Sequence, residues 1–96
     1  MRTWFSPLAE SDLSEIRRFI AADSPRAAGR VIRSIGAAVR EVIGRFPLAG
    51  TSCEELAPDL RCWSVGSYVV YSQVTTRIEI VRIIHGARDV TTIFRR

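Results

Sequence analysis

Leu60-Arg61-Cys62-Trp63-Ser64-Val65-Gly66-Ser67-Tyr68-Val69-Val70-Tyr71-Ser72-Gln73-Val74-Thr75 is the stretch from which the architecture is read. Two runs rich in Val, Tyr and Trp are parted by Gly66-Ser67, a pair suited to a tight reversal between strands. The spacing predicts a strand from Leu60 to Val65 and a second from Tyr68 to Thr75. Thr76-Arg77 turns the chain again, and Ile78 to Ile84 reads as a third strand, so the three form an antiparallel meander. Alternation puts Arg61, Trp63 and Val65 on one face of the first strand, with Leu60, Cys62 and Ser64 on the other. Arg61 beside Trp63 is either a stacked, packed pair or part of a recognition patch, and the sequence leaves both open.

Upstream of the meander the hydrophobic period changes. Residues 47–59 show none and read as a loop, with room for one helical turn. Before them, Ser24-Pro25 opens a helix, with Ser as the cap and Pro at the first helical position. Ala28, Val31, Ile32, Ile35, Val39, Val42, Ile43 and Phe46 then recur at helical spacing, to about Arg45, before Pro47 stops it. Ser6-Pro7 repeats the device, followed by Ala9, Leu13, Ile16 and Ile20. Glu10, Asp12 and Glu15 sit early in that first helix, where the dipole favours anions. Asp23 leaves room only for a tight connection, so the helices should fold back as an antiparallel hairpin. Arg2-Thr3-Trp4-Phe5 reads as a short edge strand. Helices grouped ahead of strands give an α+β fold of order β-α-α-β-β-β. The helix hairpin covers one face of a small antiparallel sheet of three to four strands. The other face or its rim is left to solvent or a partner. The last turn, around Val90 to Phe94, is a helical turn or a short strand.

At 96 residues the chain is a single domain, 1–96. Its 47% hydrophobic and 25% charged content excludes disorder, collagen and coiled coil. No apolar run approaches the ~18 residues of a membrane span, so no membrane is expected as a partner. Met1 leads straight into a polar, strand-like segment rather than a signal peptide, and the expected address is cytoplasmic. The two cysteines, Cys53 and Cys62, are expected as reduced thiols there. With His85 as the only histidine, they are too few ligands for zinc, so no metal and no cofactor are expected.

Fourteen basic residues face ten acidic ones for a net charge of +4, and all fourteen are Arg. The absence of Lys excludes a lysine base or Schiff base. The forked guanidinium suits carboxylate and phosphate, so the excess points to an acidic protein segment or nucleic acid. Arg26, Arg30, Arg33 and Arg40 recur at steps of four, three and seven on the second helix, which places them on one stripe opposite its apolar side. That stripe is either a solvated face or an electrostatic seat for an acidic partner.

Ser6-Pro7-Leu8-Ala9-Glu10, Ser24-Pro25 with Ala27-Ala28, Phe46-Pro47-Leu48-Ala49-Gly50, Gly66-Ser67-Tyr68-Val69-Val70-Tyr71 and the closing Ile83-Ile84-His85-Gly86-Ala87-Arg88-Asp89 form an ordered set. Through them the whole chain resembles the RelE/ParE toxin superfamily, and ParE most closely. The resemblance implies a toxin of a type II toxin–antitoxin system. Its partner would be a cognate ParD-like antitoxin, with a ribbon-helix-helix half and a flexible acidic segment that wraps the toxin in a hetero-oligomer. DNA would be met only indirectly, through the antitoxin. ParE-type toxins poison DNA gyrase by binding, whereas RelE-type toxins cut messenger RNA on the ribosome, so fold alone does not choose between them.

Cleaving RNA needs a base, an acid and cations around the phosphate. Arg61 and Arg82 would steady a phosphate and His85 would move a proton. The last aromatic, Phe94, carries no hydroxyl, however, and the set looks incomplete. The favoured reading therefore has no catalytic residue. In it Arg61, Arg82, Arg88, Phe94 and Arg95 meet the target, and Arg26, Arg30, Arg33 and Arg40 meet the antitoxin. His85 has a plainer reading as a strand cap bonded to Asp89 or a backbone carbonyl, and Arg88-Asp89 as a local ion pair. A third reading is a non-toxic member kept for binding its antitoxin.

Overall fold

The computed structural model describes residues 2–94; Arg95, expected at the target surface, lies outside the described residues. The chain runs β1 (Thr3–Phe5), α1 (Pro7–Ala21), α2 (Pro25–Ala37), β2 (Thr51–Ser52), β3 (Arg61–Val65), β4 (Tyr68–Val74), β5 (Ile78–His85) and α3 (Thr91–Phe94). Both helices start as their caps require. The Ser6 hydroxyl accepts from the Ala9 N–H at 3.0 Å and the Ser24 hydroxyl from the Ala27 N–H at 3.1 Å. The long second helix changes pitch part-way. Ala38–Ile43 is π-helical, and the Gly44 N–H reaches back to the Val39 carbonyl at 2.8 Å. A Cβ at Gly44 would stand 2.8 Å from the Arg40 carbonyl oxygen, so the wide turn closes on a residue without one.

The sheet order is β1-β5-β4-β3-β2. The α+β class, the helix hairpin and the meander are as the sequence predicts, with two differences in the sheet. It has five strands rather than three or four, because Thr51 and Ser52, read as loop, pair with Cys62 and Arg61. It is also mixed rather than purely antiparallel, because β1 lies parallel to β5, with Phe5 opposite Ile80.

Two apolar layers flank this sheet. On one side Ile35 of α2, Val39 and Ile43 of its π-helical continuation, and Ala9 and Ile16 of α1 pack on Val70, Ile78, Ile80 and Ile83. On the other, Leu60, Tyr71 and Ile84 form a second, smaller core under the 53–60 segment and Val90, Ile93 and Phe94. The far face is thus covered near its centre, where solvent or a partner was expected. Cys53 and Cys62 are not free thiols but a disulfide. β2 and β3 run side by side at Thr51–Cys62, and the Cys53 N–H donates to the Leu60 carbonyl at 2.7 Å. That pairing leaves the two Cα atoms 6.2 Å apart, within bridging reach. Gly50 makes the approach possible: its φ is +85°, and a Cβ there would collide with the Cys62 carbonyl.

One irregularity links the layers. Along β4, Tyr71 faces Arg82 while Ser72 faces Ile80, so β5 carries an extra residue, Val81. The bulge frees backbone groups, and α1 supplies their partners. The Ser6 hydroxyl donates to the Val81 carbonyl at 2.7 Å, and the Asp12 carboxylate accepts the Ile83 N–H at 2.9 Å.

Candidate functional site

The three residues weighed for RNA cleavage are held apart. Arg82 turns toward α1 and grips Asp12 through two bonds, Nε to Oδ2 at 2.8 Å and Nη2 to Oδ1 at 2.9 Å. The hydrogen bond to Asp12 raises the guanidinium above its ordinary value. Burial opposes this, and the charges of Asp12 and Glu15 add to it. Arg61 donates to the Gly50 carbonyl at 3.0 Å, and its Nε is buried without a protein partner among the described residues. The guanidinium that stacks on an indole is Arg77 on Trp4, at 4.2 Å, not Arg61 on Trp63. His85 lies opposite Tyr68, whereas Arg61 lies opposite Ser72, four residues further along β4. At about 3.3 Å per residue that is a separation of roughly 13 Å before the strand-to-strand distance is added.

Asp12 is the residue the sequence reading placed wrongly, as a carboxylate favoured only by the helix dipole. Its signal was position: it lies between Ala9 and Ile16 at helical spacing, on the border of the apolar stripe, where a solvated acid is out of place. Asp89 makes no ion pair with Arg88. The one ion pair among the described residues is Arg82–Asp12. Asp89 instead starts the last turn, accepting the Thr91 N–H at 3.0 Å. His85 bonds neither Asp89 nor a carbonyl: its Nδ1 accepts the Ala87 N–H at 3.1 Å, and its ring meets Tyr68 edge-on at 5.3 Å. Phe94 leans on Tyr71 with centroids 5.0 Å apart, and burial pushes the Tyr71 hydroxyl above its ordinary value. Among the described residues no three metal-ligating side chains come together.

What the fold does bring together is a trough around Tyr68. On its α1 side Glu15, Ile16, Phe19, His85 and Arg88 line a concavity of about 520 Å³ with Tyr68. On its α2 side Arg30, Val31, Ser34, Val65, Gly66 and Ser67 line one of about 400 Å³ with the same residue. Phe19 is 79% exposed at this edge. Covering such a side chain is worth about 1.5–3 kcal/mol. The trough is open rather than enclosed. His85, Tyr68 and Arg88 share it, while Arg61 and Arg82 do not. Outside it, Arg26, Arg33 and Arg40 stand exposed along α2 and its continuation.

Comparison with known proteins follows the same line. The family described as the ParE toxin of type II toxin–antitoxin systems, parDE, matches residues 4–90. No curated protein matches the sequence. Among solved structures, a chromosomal ParDE toxin–antitoxin system from P. aeruginosa superimposes with a TM-score of 0.74 at 19% identity, covering 88% of this chain and 95% of that one. At that identity the likeness is one of fold.

Proposed function

The chain belongs to the ParE toxin family of type II toxin–antitoxin systems, and from that premise we propose that it acts in the cytoplasm as a protein-binding toxin of DNA gyrase, neutralised by a ParD-like antitoxin. The observation that carries the non-enzymatic part is the fate of Arg82. A cation needed to neutralise a phosphate is instead locked on Asp12, beside a bulge that depends on the same carboxylate. The trough supplies what a protein partner needs: an exposed aromatic anchor with guanidinium groups at both ends, Arg88 on the α1 side and Arg30 on the α2 side. An amphipathic antitoxin segment with acidic flanks fits that pattern. Arg61, Arg88 and Phe94 remain the residues for the target.

Two assays test the reading. Purified chain should inhibit gyrase supercoiling and leave ribosome-bound message intact; cleaved message with normal supercoiling would reverse it. The ribosome-dependent nuclease stands as a second reading because His85, Tyr68 and Arg88 share one concavity. Under that reading His85→Ala abolishes toxicity in a folded protein. Under ours it leaves most of the toxicity in place. Normal growth on expression of the chain alone would instead favour the non-toxic, antitoxin-binding alternative.

A further inference from the structure

The trough leaves an exposed charged surface unused. Arg26, Arg33 and Arg40 lie at seven-residue intervals on the solvent side of α2 and its π-helical continuation, with Arg30 between them. All four are exposed, and among the described residues none forms an ion pair, the single such pair being Arg82–Asp12. At the i+3 and i+4 positions between them the helix carries Gly29, Gly36 and Ala37, with one carboxylate, Glu41, beyond Arg40. The glycines have a visible consequence. The Arg33 guanidinium folds back over Gly29 and the Arg40 guanidinium over Gly36, each so close that a Cβ on the glycine would come within 3.0 Å of Nη1. Two of the cations are therefore laid along the helix surface as a ridge rather than waving from it.

Such a ridge suits a polyanion better than a peptide. A peptide gains most of its affinity by burying apolar side chains, and this stripe offers none larger than the methyl of Ala37; exposed ion pairs alone are worth about 0–1 kcal/mol each. A nucleic-acid backbone needs no apolar contact, because each neutralised phosphate releases condensed counterions. Guanidinium also forks onto phosphate oxygens. From Arg26 to Arg40 the ridge spans roughly 21 Å at about 1.5 Å per residue, the axial length of about six phosphates on one strand.

We propose that the arginine ridge of α2, Arg26, Arg33 and Arg40 with Arg30 at its margin, binds the phosphate backbone of duplex DNA directly and without sequence preference. Arg26, Arg33 and Arg40 line neither half of the trough, Arg30 alone borders both surfaces, and the proposal does not depend on the gyrase reading.

The test is the fluorescence anisotropy of a labelled mixed-sequence duplex titrated with the full chain at several salt concentrations. The logarithm of the affinity should fall with the logarithm of salt at a slope of about −3 to −4, for three to four phosphates contacted. The double variant R33Q/R40Q should flatten that slope by about two and weaken binding roughly tenfold or more at low salt. R2Q/R77Q removes the same charge at the β1 edge of the sheet, away from α2, where Arg77 covers Trp4 of β1, and should retain most of the affinity. Circular dichroism confirms that both doubles are folded. No binding at about 50 mM salt would overturn the proposal, as would equal losses in the two doubles, which would make net charge the cause. Tighter binding to polyglutamate than to the duplex would also overturn it and hand the ridge to an acidic protein.

Discussion

The two faces of the sheet are built by different means. On the helix side, Ile35, Val39 and Ile43 meet Val70, Ile78, Ile80 and Ile83, aliphatic against aliphatic, presented by α2 and its π-helical continuation. On the far side, Leu60, Tyr71 and Ile84 are roofed by an irregular segment, a disulfide and a four-residue helix. Regular elements bury a continuous stripe and leave a roof that cannot settle. A roof of loops and one helical turn can follow the side chains beneath it. The first face is therefore expected to be the stiffer of the two, whereas the second, with Phe94 in its roof, is the more easily reshaped by contact.

That contrast is broken most directly by matched truncations. Ile80→Ala on the helix side should cost about 4 kcal/mol, because the helices hold the cavity open. Ile84→Ala on the far side should cost about 2 kcal/mol, because its roof can collapse into the gap. Urea denaturation of the two variants measures both, and equal losses would show the far roof to be as rigid as the helix layer. Asp12 tests the joint between the faces. Asp12→Ala leaves the Arg82 guanidinium and the Ile83 N–H without their partner and should cost about 3 kcal/mol. Asp12→Asn, which keeps an acceptor for the Ile83 N–H, should cost about half of that. If the two substitutions cost the same, the charge alone matters and the bulge does not need its capping carboxylate.

Legibility in the sequence divides along the same line. The helix side was readable because its code is periodic: Ser6-Pro7 and Ser24-Pro25 mark the starts, and the apolar stripes mark the buried sides. The far side follows no period. Its pieces come from residues 53–60 and 90–94, which carry no repeat of 2 or 3.6, so neither β2 nor the second core was foreseen. The bulge hid a further part. Strict alternation from Ile78 and Ile80 would put Ile84 with them, but the extra residue Val81 reverses the count, sending Ile84 to the far core and keeping Ile83 under the helices. Arg82, expected at a target surface, is instead held by Asp12, a carboxylate 70 residues away in sequence that no local pattern pairs with it. The trough is invisible in the sequence for another reason: Phe19, Tyr68 and Arg88 are distant along the chain and come to line one concavity only in the fold.

The disulfide sharpens the comparison at intermediate size. Closing so short a loop removes about 2–3 kcal/mol of chain entropy from the unfolded state. Cys53→Ser/Cys62→Ser should lose roughly that amount of stability. The loss should fall on the far side: amides of the 53–60 segment should exchange with solvent sooner, while those of α1 and α2 exchange more slowly and open only with the global unfolding. A thiol titration of the native protein provides the check on the starting state, since two reactive thiols without reductant would remove the premise.

The smallest effect appears only in alkali. Burial raises the Tyr71 hydroxyl above the ordinary tyrosine value of 10.0, so the folded chain keeps this proton at pH values where the unfolded chain has released it. Below about pH 10 both states are protonated and Tyr71 contributes no pH dependence. As the pH rises past that point the native state binds more protons than the unfolded one, and stability falls by up to about 1.4 kcal/mol per pH unit until the folded-state hydroxyl itself ionises. Tyr71→Phe removes this term. Its stability relative to the parent, measured by urea at pH 8 and again at pH 10.8, should shift in favour of Phe at the higher pH. A constant difference would mean that the far roof lets water reach the hydroxyl freely, and with it the claim that a loop and one helical turn seal that face would go.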